Sequence, residues 1–226
     1  MRMRKKPNLT SRMEKCAHLL VDEPGVFRGR WLSILPEHSQ TVLPEPGYDE
    51  FKYGELHIEP GCGKGRFTVE TAKAGSGILF AALEKSANAM VIALERAAAE
   101  GLQNVKFINA LADNLTEYFA PDEVSRIYLN FCDPWPSNRH AKRRLTNRRF
   151  LELYLQVLRP GGEIHFKTDN LPLFEFSLKE FEYCGFEALE ISRNLHKYGP
   201  AGVMTDYELK FYSQGLPIFK CVTRKR

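Results

Sequence analysis

The sequence predicts an α/β fold built on a doubly wound, mostly parallel sheet of seven strands. Short apolar runs alternate with amphipathic helical patterns from residue 55 onward, as strands and crossover helices do in such folds. A strand, a glycine-rich turn and a helix open this series, which is how nucleotide-binding units begin. Right-handed crossovers would bring the carboxyl ends of the strands to one edge, where open sheets bind ligands. The residues expected to line that crevice are Glu59, Glu84, 111–113, Asp133 and Asp169.

The first half of the alternation is bounded by glycines and helix caps. Ser86 caps the second helix, and Gly101 closes it. The strand before Asp133 is apolar at successive positions, which suits a strand covered on both faces. In chain order, the predicted elements are a strand at 55–59, a helix at 66–74, a strand at 77–83, a helix from 86 to 101, and strands at 105–109 and 126–131.

The second half continues the same pattern. Thr146 starts a helix, and the Arg-Pro-Gly-Gly segment 159–162 ends it and turns the chain into the next strand. Thr205 and Glu208 match a capping box, so on sequence grounds this motif favours helix initiation. The remaining predicted elements are a strand at 163–168, a helix at 173–184, a strand at 187–192, a short helix at 205–214 and a strand at 217–223.

Composition limits the class of protein. The 226 residues are 43% apolar, enough for one substantial core, so we expect a domain at 54–226 with an N-terminal extension at 1–53. No apolar run could cross a bilayer and the start lacks the apolar stretch of a signal peptide, so we expect a cytoplasmic protein. The sequence leaves the oligomeric state open between a monomer and a homodimer. The five scattered cysteines are in no metal-ligand spacing, which predicts free thiols and no metal site.

The extension has two interpretations. Its start is basic (Arg2, Arg4, Lys5, Lys6), so it could contact phosphates or close over the site. Because short basic termini are common, we favour an arm that packs on the main domain. The net charge of +4 permits a nucleic-acid partner without requiring one.

The glycine turn is the first candidate binding element. Glu59 precedes it, and Glu84 ends the next predicted strand, where a carboxylate can accept hydrogen bonds from both ribose hydroxyls. This pair does not separate NAD from S-adenosylmethionine, and Arg66 stands where a dinucleotide fingerprint has its last glycine. A plain turn and a helix-start carboxylate are the simpler alternatives. Three glycines let the backbone approach a ligand without Cβ clashes: Gly61, Gly63 and Gly65.

The segment after the fourth predicted strand is the second candidate binding element. That strand stops at Asp133, because Pro134 and Pro136 cannot continue a central strand. A carboxylate and the indole of Trp135 are therefore expected at the crevice. We interpret Cys132 as a packing residue rather than a nucleophile, because the adjacent carboxylate would raise the pKa of its thiol.

A dense basic run follows directly. A charge run is usually a solvated face, but this one adjoins the candidate site, which favours contact with the phosphates of a polyanionic substrate. Asn138 and the prolines predict that it lies on a loop. Its members are Arg139, His140, Lys142, Arg143 and Arg144.

With these residues in hand, the chain resembles the bacterial single-chain tRNA (guanine-N7-)-methyltransferases over nearly its whole length. Asp-Pro-Trp-Pro with its basic tail, together with His-Phe-Lys-Thr-Asp, is highly specific. The resemblance implies a class I S-adenosylmethionine-dependent fold and methyl transfer to N7 of a variable-loop guanine in tRNA, with S-adenosylhomocysteine as the product. The matching segments are 1–7, 57–65, 128–136, 139–145, 165–170 and 204–208.

The resemblance also implies roles for individual residues, with Asp133 closest to a catalytic role and RNA contacts along 139–144. Two residues depart from the family pattern. Leu111 stands where a polar residue is usual near the adenine, so its backbone or Asp113 would serve, and Ser137 replaces a usual lysine. The implied cofactor contacts are Glu59, Gly61, Gly63, Gly65, Glu84, Leu111, Asp113 and Asp133. The implied substrate contacts are Ser137, Asp169, Thr205, Asp206, Tyr207 and Glu208.

The reaction suits these residue types. Guanine N7 carries an in-plane lone pair, so no proton need leave before it attacks and no strong general base is needed. The site must align the reactants and accommodate positive charge on the purine, which Asp133, Asp169 and Glu208 could favour while accepting guanine N–H groups. Three alternatives remain: methylation of another RNA or atom, an RNA-binding relative without catalysis, and an NAD oxidoreductase.

Overall fold

A seven-stranded sheet forms the centre of the computed structural model, which describes residues 6–34, 54–75 and 77–226. The spatial order is β3-β2-β1-β4-β5-β7-β6. All neighbouring strands pair in parallel except β7, which is antiparallel to both β5 and β6. The predicted fold class is confirmed. The strands are β1 Glu55–Pro60, β2 Ile78–Leu83, β3 Val105–Ile108, β4 Val124–Asn130, β5 Leu158–Thr168, β6 Glu187–Ser192 and β7 Phe219–Arg224.

The strand order reverses between β1 and β4. From β1 the chain moves outward through β2 and β3, and it then returns to place β4 on the other side of β1. Open α/β sheets bind ligands in the crevice beyond such a switch point. Pro60 and Asn130 end the two strands that flank it, so the residues that follow them are placed to form a site.

Helices cover both faces of the sheet. Side chains alternate along the strands, so Leu79 and Ala81 of β2 join one core and Phe80 and Ala82 join the other. The first core packs against α5 and α6, and the second against α2 and α3. The helices are α1 Leu9–Glu14, α2 Arg66–Ala74, α3 Ala87–Ala99, α4 Leu115–Tyr118, α5 Arg148–Val157, α6 Leu171–Tyr183 and α7 Asp206–Ser213.

Two boundaries differ from those predicted. The segment 159–162, predicted as a turn, lies inside β5, because an irregularity in the pairing with β4 and a positive φ of 74° at Gly161 absorb the bend. The helix predicted to start at Thr146 starts at Arg148, because the side chain of Asn147 accepts the cap hydrogen bond from the Arg149 N–H.

The described part of the N-terminal extension packs on the domain. Val21 donates its backbone N–H to Phe107 on the edge strand β3 (2.8 Å). Trp31 is fully buried, and its indole N–H donates to the carbonyl of Tyr118 (2.8 Å). The rest of the basic start (1–5) and residues 35–53 lie outside the described residues, so a phosphate-contacting arm stays a prediction. Among the described helices, none combines the length and apolar character needed to cross a bilayer.

Candidate functional site

Two adjoining cavities lie at the carboxyl edge of the sheet. The large cavity, about 630 Å³, is lined by residues that follow β1, β2, β3 and β4. The small cavity, about 390 Å³, lies between the glycine turn and the start of α7. Gly61 and Phe131 line both. The predicted residues of the large cavity are Gly61, Glu84, Leu111, Asp113, Asp133 and Arg143, and those of the small cavity are Glu59, Gly61, Gly63, Gly65, Thr205, Asp206 and Tyr207.

The glycine turn owes its shape to positive φ angles of 81°, 59° and 74° at Gly61, Gly63 and Gly65. Such angles are strained for residues with a side chain. At Gly65 there is a second reason, since a Cβ would lie 2.5 Å from the Cβ of Ala93. Gly65 therefore lets α2 approach α3 closely and brings the turn to the switch point.

Glu84 is held by backbone groups at the rim of the large cavity. Its carboxylate accepts from the N–H of Gly63 (3.0 Å) and from the N–H of Ser86 (2.7 Å). Ser86 occupies the predicted cap position, but its side chain makes no cap hydrogen bond. Two fixed bonds leave lone pairs on both carboxylate oxygens for ribose hydroxyls.

Glu59 lies deeper and is 2% exposed. It accepts from the hydroxyl of Thr68 and from the amide of Asn130 (2.8 Å). Burial raises the pKa of Glu59, and these two hydrogen bonds act against that rise. Asn130 also lines the small cavity, and its amide oxygen is buried without a hydrogen-bond partner in the described part of the chain. Asn130 was not predicted as a site residue, although a polar residue ending a buried strand was a signal for it.

The segment after β4 is strained. Phe131 and Trp135 have positive φ angles of 50° and 41°, which cost about 1–3 kcal/mol each for residues that are not glycine. Arg144 holds this segment, because it donates to the carbonyls of Pro134 (3.0 Å) and Trp135 (2.9 Å). It is 8% exposed. The guanidinium of Arg144 is thus engaged inside the protein, and its predicted contact with RNA stays a prediction.

Asp133 stands exposed at the large cavity. Among the described residues, no hydrogen bond or ion pair holds its carboxylate, in contrast to Glu59 and Glu84. The neighbouring Cys132 is partly buried, and burial followed by the charge of Asp133 raises the pKa of its thiol to about 12. This agrees with the interpretation of Cys132 as a packing residue.

The basic run forms a 3-10 helix, Asn138–Arg143, rather than the predicted loop. Arg139 and Lys142 are exposed. The guanidinium of Arg143 lies 4.9 Å from the centre of the Trp135 ring, and His140 meets the same ring edge-on at 5.7 Å. The exposed cations adjoin the large cavity through Arg143, which lines it.

Of the two residues that depart from the pattern of the family this chain resembles, only Leu111 lines the large cavity. Leu111 is 51% exposed and lines the cavity next to Ala110 and Ala112. Asp113 also lines it, but its carboxylate pairs with Arg149. The cavity thus presents an apolar wall where a polar contact is usual. Ser137 is exposed at the start of the 3-10 helix and lines neither cavity.

The Thr205 motif forms the far wall of the small cavity. Thr205 and Glu208 make the predicted capping box at the start of α7. Asp206 accepts from Arg96 (2.7 Å). Half-exposed Tyr207 packs its ring 5.3 Å from that of Phe131.

Two further predicted substrate residues lie outside both cavities. Glu208 is fully buried and accepts from Lys167 (2.7 Å) and His196 (3.0 Å). Because its carboxylate is fully buried on these internal donors, a contact with guanine would require the carboxylate to leave them, and that contact stays a prediction. Asp169 follows β5 and lies near Tyr207: burial and then the charge of Asp169 raise the pKa of Tyr207.

Comparisons with known proteins agree with this geometry. A family model described as "Putative methyltransferase" matches residues 54–221. The tRNA (guanine-N(7)-)-methyltransferase of Geobacillus kaustophilus is 41% identical over 222 residues, which are 98% of this chain and 95% of that protein. The protein of the same name from Bacillus velezensis is 40% identical over 221 residues, 97% of this chain and 95% of that protein.

Solved structures support the fold. The 16S rRNA methyltransferase KamB matches with a TM-score of 0.59 and 16% identity, over 82% of this chain and 97% of that one. At 16% sequence identity, this match supports the fold and nothing beyond it. Within the described residues, no group of His, Cys, Asp and Glu is arranged to hold a metal ion.

Proposed function

Because the chain belongs to the tRNA (guanine-N(7)-)-methyltransferase family, we propose that it transfers the methyl group of S-adenosylmethionine to N7 of a guanine in the variable loop of tRNA. Family membership confirms the resemblance carried by the sequence motifs. The observation that carries the proposal is the meeting of the two cavities at Gly61 and Phe131. One cavity presents a carboxylate suited to ribose, and the other presents the Thr205 motif.

The large and small cavities together form one cleft, and the residues of this cleft fit S-adenosylmethionine. Glu84 has free lone pairs for the ribose hydroxyls, and the wall around Leu111 suits the apolar faces of the adenine. The unpartnered amide oxygen of Asn130 lies beside buried Glu59. A buried acceptor without a donor is unfavourable by about 1–3 kcal/mol, and the α-ammonium of the cofactor is a donor that would satisfy it.

When bound, the cofactor supplies a methyl group on a positively charged sulfur, and the protein has to align guanine N7 with it. Asp133 is the exposed carboxylate best placed to assist, because it can accept guanine N–H groups and favour the positive charge that develops on the purine. The rings of Tyr207 and Phe131 offer a surface for stacking the base. A cationic base also gains from an aromatic face.

The surface beside the cleft suits tRNA. Arg139, Lys142 and Arg143 are exposed on the 3-10 helix next to the large cavity. Phosphate contacts of this kind position a nucleic acid without reading its sequence. Guanine selection would then come from the small cavity and from Asp133 and Asp169.

The test is a methylation assay that identifies both the atom and the position. The protein is incubated with methyl-labelled S-adenosylmethionine and an unmodified tRNA transcript, and the product is cleaved chemically at N7-methylguanine. We expect one cleavage in the variable loop and none in a matched transcript whose variable-loop guanine is adenine. Label without N7 cleavage would assign another atom, and cofactor binding without any label would assign an RNA-binding relative.

A further inference from the structure

Lys167 is a buried cation at the carboxyl end of β5. It is 7% exposed and stands opposite Asn130 in the register between β4 and β5. Its backbone carbonyl accepts from the N–H of Phe131 (2.9 Å), the strained residue shared by both cavities. Lys167 is thus part of the frame of the cleft, although it lines neither the large nor the small cavity.

The ammonium group of Lys167 binds the segment that carries the substrate motif. It donates to the carboxylate of Glu208 (2.7 Å) and to the carbonyl of Val203 (3.0 Å). It also lies 5.1 Å from the centre of the Phe67 ring on α2. One side chain therefore joins β5, α2 and the chain on both sides of Thr205.

Glu208 accepts from three donors. Besides Lys167, it accepts from the ring of His196 (3.0 Å) and from the backbone N–H of Thr205 (3.3 Å). The other ring nitrogen of His196 accepts from the N–H of Ala201 (3.2 Å), which leaves the Nε2 proton for Glu208. The carboxylate is fully buried, and a buried carboxylate is stable only with such partners.

The same cation acts on the cofactor side. Glu59 is buried, and the positive charge of Lys167 is among the influences that lower its pKa against the effect of burial. Lys167 therefore acts on two buried carboxylates in different ways: it forms a direct ion pair with Glu208 (2.7 Å) and influences Glu59 only through its charge. Of the two, only Glu208 is held in place by a hydrogen bond from Lys167.

We propose that Lys167 is a positioning residue for methyl transfer: through Glu208 it holds the 205–207 wall of the small cavity at a fixed place relative to the cofactor side of the cleft. This inference rests on the function proposed above. It predicts a defect in RNA binding and alignment with little change in cofactor binding, because Glu59 keeps its own donors from Thr68 and Asn130.

The experiment uses Lys167→Met, which keeps the apolar stem and removes the charge, with Lys220→Met as the matched control. Lys220 is the direct neighbour of Lys167 on β7 and pairs with exposed Glu190 (2.7 Å). In Lys167→Met we expect the KM for tRNA to rise at least ~10-fold and kcat to fall. The Kd of S-adenosylhomocysteine, measured by calorimetry, should change less than ~3-fold. Lys220→Met should change none of these.

A double-variant cycle with Glu208→Gln tests the route through Glu208, and Glu208→Gln alone gives a second test if Lys167→Met does not fold. If Lys167 acts through Glu208, Lys167→Met/Glu208→Gln has the KM for tRNA of the worse single variant, because the two residues act as one unit. Multiplied effects would overturn the proposal. So would an unchanged KM in Lys167→Met, or, if that variant does not fold, in Glu208→Gln. Absence of N7-methylation by the wild-type protein would instead reject the function on which the proposal rests.

Discussion

The two sides of the cleft hold their functional groups in different ways. On the cofactor side, the carboxylate of Glu84 accepts from backbone N–H groups 21 and 2 positions away. On the substrate side, Glu208 depends on the side chain of Lys167, 41 positions away, and Asp206 on that of Arg96, 110 positions away. Backbone donors remain after a side chain is replaced. The Glu84 contact should therefore be sensitive to changes of backbone shape. The substrate side should be sensitive to the loss of single side chains, and so should Glu59, whose donors Thr68 and Asn130 are also side chains.

The largest expected effect is on Asp133, which lines the large cavity. Asp133→Asn keeps the size of the side chain and removes the charge, so we expect kcat to fall at least ~100-fold, the scale of losing one electrostatic contact to a transition state. Because Asp133 is exposed, the melting temperature should stay close to that of the wild type. The matched control is Asp122→Asn, at an exposed aspartate that pairs with Lys225. Near-wild-type turnover in Asp133→Asn would show that its role is misassigned.

Next comes a pair of glycine substitutions that tests backbone shape. Gly65→Ala forces a Cβ against Ala93 in addition to the strain of its positive φ, so we expect a loss of ~2–4 kcal/mol in the free energy of unfolding. Gly63→Ala adds a Cβ at a similar φ with no heavy atom within 4 Å, so only the strain of about 1–2 kcal/mol is expected. Urea unfolding measures both. Equal losses would mean that the contact with α3 contributes nothing.

Asn130 sharpens the description of the cofactor side. If its amide oxygen accepts from the α-ammonium of the cofactor, Asn130→Ala should weaken binding of S-adenosylhomocysteine ~10-fold or more, since hydrogen bonds to charged groups contribute about 1.5–3 kcal/mol. Binding of 5′-methylthioadenosine, which lacks the amino-acid part, should be nearly unchanged. Calorimetry with both ligands separates the two cases. Equal weakening of both would instead point to a general distortion around Glu59.

The same contrast explains which parts could be predicted from sequence. The glycine turn, Glu59, Glu84 and the end of the strand at Asp133 are local patterns, because caps, turns and strand ends depend on near neighbours in the chain. The positions of these residues follow from the fold once the strand order is known.

Contacts that form only in the folded chain could not be predicted. Residue type predicts Arg144 to be a phosphate ligand, and only the structure shows that its guanidinium is buried and donates to Trp135. The local pattern predicts Glu208 to be a capping residue, and the family resemblance implies a substrate contact, yet its partners Lys167 and His196 come from elsewhere in the chain. No spacing rule connects them. The 3-10 helix at Asn138–Arg143 could likewise not be predicted from the sequence, because its residues are typical of a solvated loop.

The smallest expected effects separate two cations of the basic run. Arg144→Met removes the donors that hold the strained segment, so we expect a loss of ~1–3 kcal/mol in the free energy of unfolding, a lower kcat, and an unchanged salt dependence of tRNA binding. Lys142→Met, at an exposed position, should leave stability within about 0.5 kcal/mol. It should lower tRNA affinity and reduce the slope of log affinity against log salt by ~1. The two variants are measured by urea unfolding and by titration with tRNA at several salt concentrations. If Arg144→Met instead flattened the salt slope and left stability intact, Arg144 would be a phosphate contact after all, and the substrate side would depend less on buried side chains than its contacts indicate.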